Sequence, residues 1–220
     1  MWEMTMAARD WQPGPLDPDD IERFTAQIPG LIRATGPVSY DYQFGTGDLL
    51  AHMVTASWPT PDTLFCAACT TAVVDGEDLL GIELGFAGPS FYAYKANLAA
   101  LGRDLVSRGA ATYDDLVGVT VRAAKASYLN AHIPDDVYYL HALATPPAHR
   151  GKGVGKVLLR AAIERARAAG YRALQLDVLA DNPAVGFYQA NGLEILAEIR
   201  SPELSRDHGF PAEYRMAVAL

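Results

Sequence analysis

Cysteine is scarce in this 220-residue chain: two residues, three positions apart, as Cys66-Ala67-Ala68-Cys69. That scarcity excludes a disulfide-stapled scaffold. With no second cysteine pair and no ordered histidine pair there is nothing to complete a zinc site, so neither half a metal site nor a redox pair is favoured, and no metal is expected. The stretch Thr63 to Val74 reads as a strand, on which positions three apart face opposite sides, so the two thiols are expected as separate core residues. An excess of basic charge is missing too. Lys and Arg total 18 against 26 Asp and Glu, a net charge of −8, which argues against nucleic acid as a general partner, because a phosphate backbone needs a basic face. Long apolar runs are absent, which argues against a membrane span. The opening Met-Trp-Glu-Met-Thr-Met lacks a basic stretch ahead of an apolar core, so a cytoplasmic location is the expectation. No internal repeat or low-complexity tract occurs.

Half of the residues are hydrophobic, enough at this length for a full core. Asp17 reads as a helix N-cap with Pro18 at the first helical position, and Ile21, Phe24, Ile28 and Leu31 form one apolar face behind it. Residues 35 to 47 are turn-rich, with Tyr40, Tyr42 and Phe44 interleaved. Leu49 to Ser57 is a short helix. Leu64 to Val74 and Leu79 to Phe86 are strands joined by the hairpin-type turn Asp75-Gly76. About 45 residues then intervene, 90 to 135, with an apolar stripe at Leu98, Leu101 and Leu105. A cap at Thr112 with Asp115 three residues on predicts a second helix there. Val137 to Thr145 and Tyr171 to Val178 are the fourth and fifth strands, and Pro183 to Asn191 is a helix closed by Gly192. Leu193 to Arg200 and Glu213 to Leu220 end the chain as strands joined by a polar loop.

Leu140 to Gly155 organises the whole. An apolar strand stops at Pro146-Pro147, a glycine-rich turn follows, and a helical run extends from Lys156 to Ala169. Glycines let a backbone approach a ligand closely, and free N–H groups at a helix start favour phosphate. Arg150, Lys152 and Lys156 add positive charge there. A Walker loop would need a Gly-Lys-Ser/Thr that is absent, and a dinucleotide fingerprint would need a glycine spacing that Gly151, Gly153 and Gly155 do not supply. What remains is Arg150-x-x-Gly153-x-Gly155.

That pattern resembles the Arg/Gln-x-x-Gly-x-Gly/Ala motif of the GNAT superfamily of N-acetyltransferases, which holds the pyrophosphate of acetyl-CoA. Leu143-Ala144-Thr145-Pro146-Pro147 fits the family's strand-to-loop entry. Asn182-Pro183-Ala184-Val185-Gly186-Phe187-Tyr188, followed by Gly192-Leu193, is similar to the family's second motif, although asparagine to tyrosine is six residues here against the usual seven, and Leu193 replaces a phenylalanine. The resemblance implies a mixed α/β fold whose central sheet, mostly antiparallel, splays between the fourth and fifth strands. The helices of 90–135 would be an insertion between the third and fourth. It implies one domain over 17–220, with 1–16 as a tail or first strand.

It further implies an enzyme transferring acetyl directly from acetyl-CoA, its cosubstrate, to a small-molecule primary amine or a peptide amino terminus, to which the acidic net charge is suited. Another acyl-CoA donor, or a CoA-binding module without turnover, is the alternative. A homodimer is one option for a partner, and the insertion reads either as a substrate-side wall or as a dimer surface. Leu143, Ala144, Thr145, Arg150, Gly151, Lys152, Gly153, Val154, Gly155, Lys156, Asn182, Phe187 and Tyr188 would contact the cosubstrate. Tyr188 is the candidate acid for the departing sulfur. Asp177 and His141 are the candidate bases, with Glu83 and Tyr139 weaker ones, and His149 reads as loop surface.

Overall fold

A computed structural model describes residues 11–220; the expectation of a tail over residues 1–10 lies outside them. A two-residue strand β1 (Gly14–Pro15) precedes four helices, α1 (Pro18–Phe24), α2 (Ile28–Thr35), α3 (Pro37–Phe44) and α4 (Leu49–Ser57). Asp17 caps α1 as its sequence suggests, its Oδ1 accepting the Asp20 N–H at 2.8 Å. The single helix expected through Leu31 is two. Pro29 has no N–H and its ring would meet the carbonyl four residues back, so the helix stops after Phe24 and restarts at Ile28. Its apolar face survives the break, with Phe24, Ile28 and Leu31 all buried. The turn-rich reading of 35 to 47 also gives way to a helix, α3, which starts on Pro37 and ends at Gly45, whose φ is +78°. Tyr40 and Phe44, four apart, pack their rings against each other.

The strand predicted from Thr63 begins only at Thr70. The end of α4 captures the preceding backbone: Ser57 Oγ accepts the Phe65 N–H at 3.1 Å, and Trp58 O accepts the Ala67 N–H at 2.8 Å. These groups therefore need no sheet partner. Ala67–Cys69 forms a 3₁₀ turn, which brings the two thiols to one side, Sγ to Sγ 3.0 Å, rather than to opposite faces.

Strands β2 (Thr70–Asp75) and β3 (Asp78–Ala87) form the expected hairpin. Two helices follow, α5 (Ser90–Ser107) and α6 (Tyr113–Ala126), the second opened by the Thr112/Asp115 capping box. Then come β4 (Val137–Ala144), α7 (Val154–Ala168), β5 (Ala173–Leu179), α8 (Ala184–Ala190), β6 (Glu194–Ile199), α9 (Pro202–His208) and β7 (Glu213–Ala219). Helix α9 replaces part of the polar loop expected before β7; Ser201 caps it with Pro202 at its first position.

Among the described residues the strands make one sheet in the order β1-β2-β3-β4-β5-β7-β6. Neighbours are antiparallel except β4 and β5, which run parallel and pair only from Val137–Ala173 to Tyr139–Gln175. Beyond that point β4 continues to Ala144 and β5 to Leu179 without a shared ladder. The sheet is therefore splayed where the sequence placed the opening.

Helix α7 covers one face, burying Val154, Leu158, Leu159 and Ala162. It sits close because Gly81 of β3 has no side chain; a Cβ there would come within 2.9 Å of Val154 Cγ1 and 3.0 Å of Leu158 Cδ1. Glu83 lies under this helix, buried, paired with Arg165 of α7 and accepting from the Tyr138 hydroxyl at 2.9 Å. The opposite face holds α2, α4 and α5 around Phe24, Ile32, Phe65, Leu84 and Phe86. No helix of the described residues is long and apolar enough to cross a membrane.

Candidate active site

The open end of the β4–β5 cleft is capped by the glycine turn. Gly151 and Gly153 take φ of +74° and +89°, a region that residues with a Cβ avoid, and a Cβ on either would meet nothing within 4 Å. The bend is thus open on its outer side. Gly153 is the N-cap of α7 and accepts the Val157 N–H at 3.1 Å. The amides of Val154, Gly155 and Lys156 in the first turn precede any intrahelical acceptor and carry the positive end of a 15-residue helix. Arg150 is tied back by its Nε donating to Thr145 O at 3.2 Å, and Lys152 Nζ lies 3.3 Å from His149 Nδ1. Arg150, Lys152 and Lys156 are all exposed around the bend. This arrangement suits an extended diphosphate.

The far wall comes from β5 and α8. Asn182 stands where β5 turns into α8, its Oδ1 accepting the Ala184 N–H at 2.9 Å and its Nδ2 donating to Thr35 O at 3.3 Å. Phe187 reaches across to the glycine turn: a Cβ on Gly155 would lie 3.7 Å from both Phe187 Cζ and Thr145 Oγ1. Tyr188 is buried and lines the cleft, and burial alone holds its hydroxyl well above the usual phenol range. Of the sequence-predicted residues, Leu143, Asn182 and Tyr188 line one cavity at the cleft opening, and Phe187 and Thr145 lie beside Gly155 of the turn, while Arg150 to Lys156 stand outside that lining.

Behind that opening lies a cavity of about 600 Å³. A β-bulge shapes its floor. Leu84 pairs with Ala142 while Gly85 pairs with Leu140, which leaves His141 as the extra residue on β4. The bulge turns His141 to the same side as Ala142, among the rings of Phe65, Phe86, Phe91 and Tyr139 at centroid distances of 5.6 to 6.2 Å. Its Nε2 is buried without a hydrogen-bond partner among the described residues. Burial pushes the imidazole down to about 4, so it is neutral at pH 7. Helices α5 and α6 supply another wall of the cavity, through Phe91, Lys95, Leu98, Val119 and Ala123.

Asp177 also lines this cavity, but its carboxylate is fully engaged. Arg215, its cross-strand neighbour on β7, donates Nε to Oδ1 at 2.5 Å and Nη2 to Oδ2 at 2.8 Å, and the Tyr139 hydroxyl donates to Oδ2 at 3.0 Å. The two side chains are 5% and 4% exposed. Arg215 also donates to Gln175 Oε1 and to the carbonyls of Ala131 and His132, anchoring the segment after α6. Glu83, by contrast, is on the α7 side of the sheet, away from the cavity.

Sequence reasoning passed over Glu213. It is 9% exposed, lines the cavity two residues before Arg215, and is pushed up to about 8 by burial and then by the charge of Asp177, with Arg215 opposing. The available signal was its place at the start of the last strand, two positions from an arginine. Its partner across the sheet could not be read from spacing.

The fold is a mixed α/β architecture in which a splayed strand pair opens onto one pocket and a helix N-terminus stands beside it. Residues 99–193 match the profile of the "Acetyltransferase (GNAT) family". An uncharacterized protein of Mycobacterium leprae (strain TN) is 37% identical over 102 residues, which is 44% of this chain and 26% of that protein. The chain thus spans about a quarter of the length of the curated relative it matches. Among solved structures, an N-acetyltransferase from Staphylococcus aureus Mu50 superposes with a TM-score of 0.68 at 15% identity, covering 94% of this chain and 100% of that one. Another acetyltransferase gives 0.67 at 18% identity, covering 94% and 98%. These likenesses establish the shared fold.

Proposed function

We propose that this protein transfers an acetyl group from acetyl-CoA to the amine of a small molecule, by direct attack within the β4–β5 cleft. The described chain acts in this reading as one domain, with the 90–135 helices as an insertion on the acceptor side. The observation that carries it is proximity: the open helix start packs beside Phe187 of α8, and the next residue, Tyr188, lines one cavity together with residues of the two splayed strands.

Arg150, Gly151, Lys152, Gly153, Val154, Gly155 and Lys156 hold the diphosphate. The unpaired edge of β4 over Leu143, Ala144 and Thr145 lies along the pantetheine arm, and a main-chain N–H there meets the charge that develops on the thioester oxygen. Asn182 and Phe187 close the other side. Acetyl-CoA supplies an activated acyl group. Tyr188 keeps its proton at neutral pH and delivers it to the departing sulfur. His141 is a neutral group on the acceptor side, and Asp177 holds Arg215 and Tyr139 in place. The wall formed by α5 and α6 favours a compact amine over the amino terminus of a folded polypeptide.

The test is thiol release from acetyl-CoA with a panel of alkylamines, polyamines, amino acids and amino-terminal peptides. Amine-dependent release that falls by about 10²-fold in Tyr188→Phe, with CoA affinity little changed, is the expected result. Binding of acetyl-CoA without any amine-dependent release would favour a CoA-binding module instead, and faster turnover with a longer acyl-CoA would change the donor.

A further inference from the structure

One carboxylate in the cavity is not engaged by the cation beside it. Arg215 gives both its Nε and an Nη to Asp177 and its remaining N–H groups to Gln175 and two carbonyls. Glu213 receives none of these. A single contact engages it among the described residues, Asn130 Nδ2 donating to Oε2 at 3.4 Å. Two carboxylates against one guanidinium leave one negative charge uncompensated whenever Glu213 ionises, in a place where an unpaired charge is costly. An ammonium entering the cavity restores the balance.

The rest of the enclosure fits only one such charge. Phe65, Leu98, Val119 and Ala123 offer apolar surface, and Lys95 of α5 also lines the cavity. Neutral polar groups such as Gln43, Thr120 and Ser127 also line it, but its only carboxylates among the described residues are Asp177 and Glu213, so a second ammonium on the same molecule would find no carboxylate free of Arg215. The groups that face Glu213 are Asp177 from β5, Arg215 from its own strand, Tyr139 from β4 and the Asn130 amide after α6.

Building on the acetyl-transfer reading above, we infer that Glu213, rather than Asp177 or His141, receives the acceptor's ammonium and takes its proton, and that the acceptor is a primary monoamine with an apolar body. The proton passes from nitrogen to a Glu213 carboxylate oxygen, freeing the nitrogen lone pair. That pair forms the C–N bond as the C–S bond breaks and the sulfur takes the Tyr188 proton. The second nitrogen proton returns to Tyr188, and Glu213 releases its own to solvent. The net products are the amide, the thiol and one proton. Because Glu213 titrates near 8, its proton affinity is close enough to that of an alkylamine for transfer in either direction to be cheap.

The experiment compares wild type with Glu213→Gln, using hexylamine, its β-difluorinated analogue (largely uncharged just above neutrality) and spermidine. For hexylamine, kcat/KM should fall by about 10²-fold or more in the variant. For the fluorinated amine, which needs no deprotonation, the loss should stay within about tenfold. A general structural defect would lower both alike, and equal losses, or none, would overturn the assignment. Hexylamine should exceed spermidine by at least about tenfold in wild type; a preference for spermidine would overturn the monoamine class. Should Glu213→Gln fail to fold, the wild-type pH profile decides. Ammonium binding to an ionised Glu213 gives a bell, rising through about 8 and declining above the amine's value of about 10. A monotonic rise up to the amine's own value would refute it. Absence of release with every amine would sink the acetyl-transfer reading and this inference with it.

Discussion

Glu213→Gln also makes a prediction about stability that needs no substrate. In the folded protein burial and the Asp177 charge push Glu213 from its ordinary 4.5 up to about 8. Between those values the native state keeps a proton that the unfolded chain has lost, so stability falls as pH rises and the loss is complete above about 8. At about 1.4 kcal/mol per unit the full gap is worth about 5 kcal/mol, of which about 4 kcal/mol is lost between pH 5 and pH 9. Glutamine has the shape of the protonated acid and does not titrate. The variant should therefore match wild type within about 1 kcal/mol near pH 5 and exceed it by about 4 kcal/mol near pH 9. Urea titrations at several pH values read this directly, because other titrating groups are common to both proteins and cancel in the difference. Parallel stability curves would show that Glu213 ionises normally, and the electrostatic argument for its role would fail.

Asp177→Asn tests the companion carboxylate: it leaves a buried guanidinium without its anion and should cost about 3–5 kcal/mol in urea unfolding, whereas a large kinetic loss with no stability change would make Asp177 a base instead of an anchor. Gly81→Ala places a Cβ within 2.9 Å of Val154 Cγ1 and should cost about 1–3 kcal/mol. Because Val154 opens α7, the same substitution should weaken CoA binding; an unchanged melting temperature would show that α7 is not seated as described. His141→Phe should flatten the acid limb of stability. The imidazole is depressed from 6.5 to about 4, so its contribution is present above 6.5 and lost as pH falls towards 4. Identical acid limbs in the two proteins would refute that.

The parts of the fold legible in the sequence are those where local chemistry and tertiary need agree. Strand, glycine turn and helix from Val137 to Ala168 carry their own punctuation, and Gly151 and Gly153 stand at positive φ where the spacing required flexible residues. Capping residues marked α1 and α6 correctly because a cap is a contact within four residues. Helix α3 was hidden because Tyr40, Tyr42 and Phe44 alternate with polar residues, a period of two that masks the four-residue stacking of Tyr40 on Phe44. The Phe65–Cys66–Ala67 run reads as strand because its true partners, Ser57 and Trp58, belong to the helix before it. The glycine turn and the Tyr188 segment could be read as a site, since motif and position coincide. The charge arrangement behind them could not. Asp177 and Arg215 are 38 residues apart and meet only through the β5–β7 register, and that pairing is what separates a neutralised Asp177 from a Glu213 that Arg215 does not hydrogen-bond.

Acetyl transfer in this cleft requires the open bend before α7 to hold a diphosphate. Isothermal titration of CoA into wild type and Gly153→Val tests it most directly. A β-branched residue cannot adopt a φ of +89° without strain, so the bend should distort while the remainder of the fold stays intact by circular dichroism. Saturable binding to wild type, weakened at least about tenfold in the variant, is the expected result. No binding to wild type, or equal binding to both, would contradict the central claim.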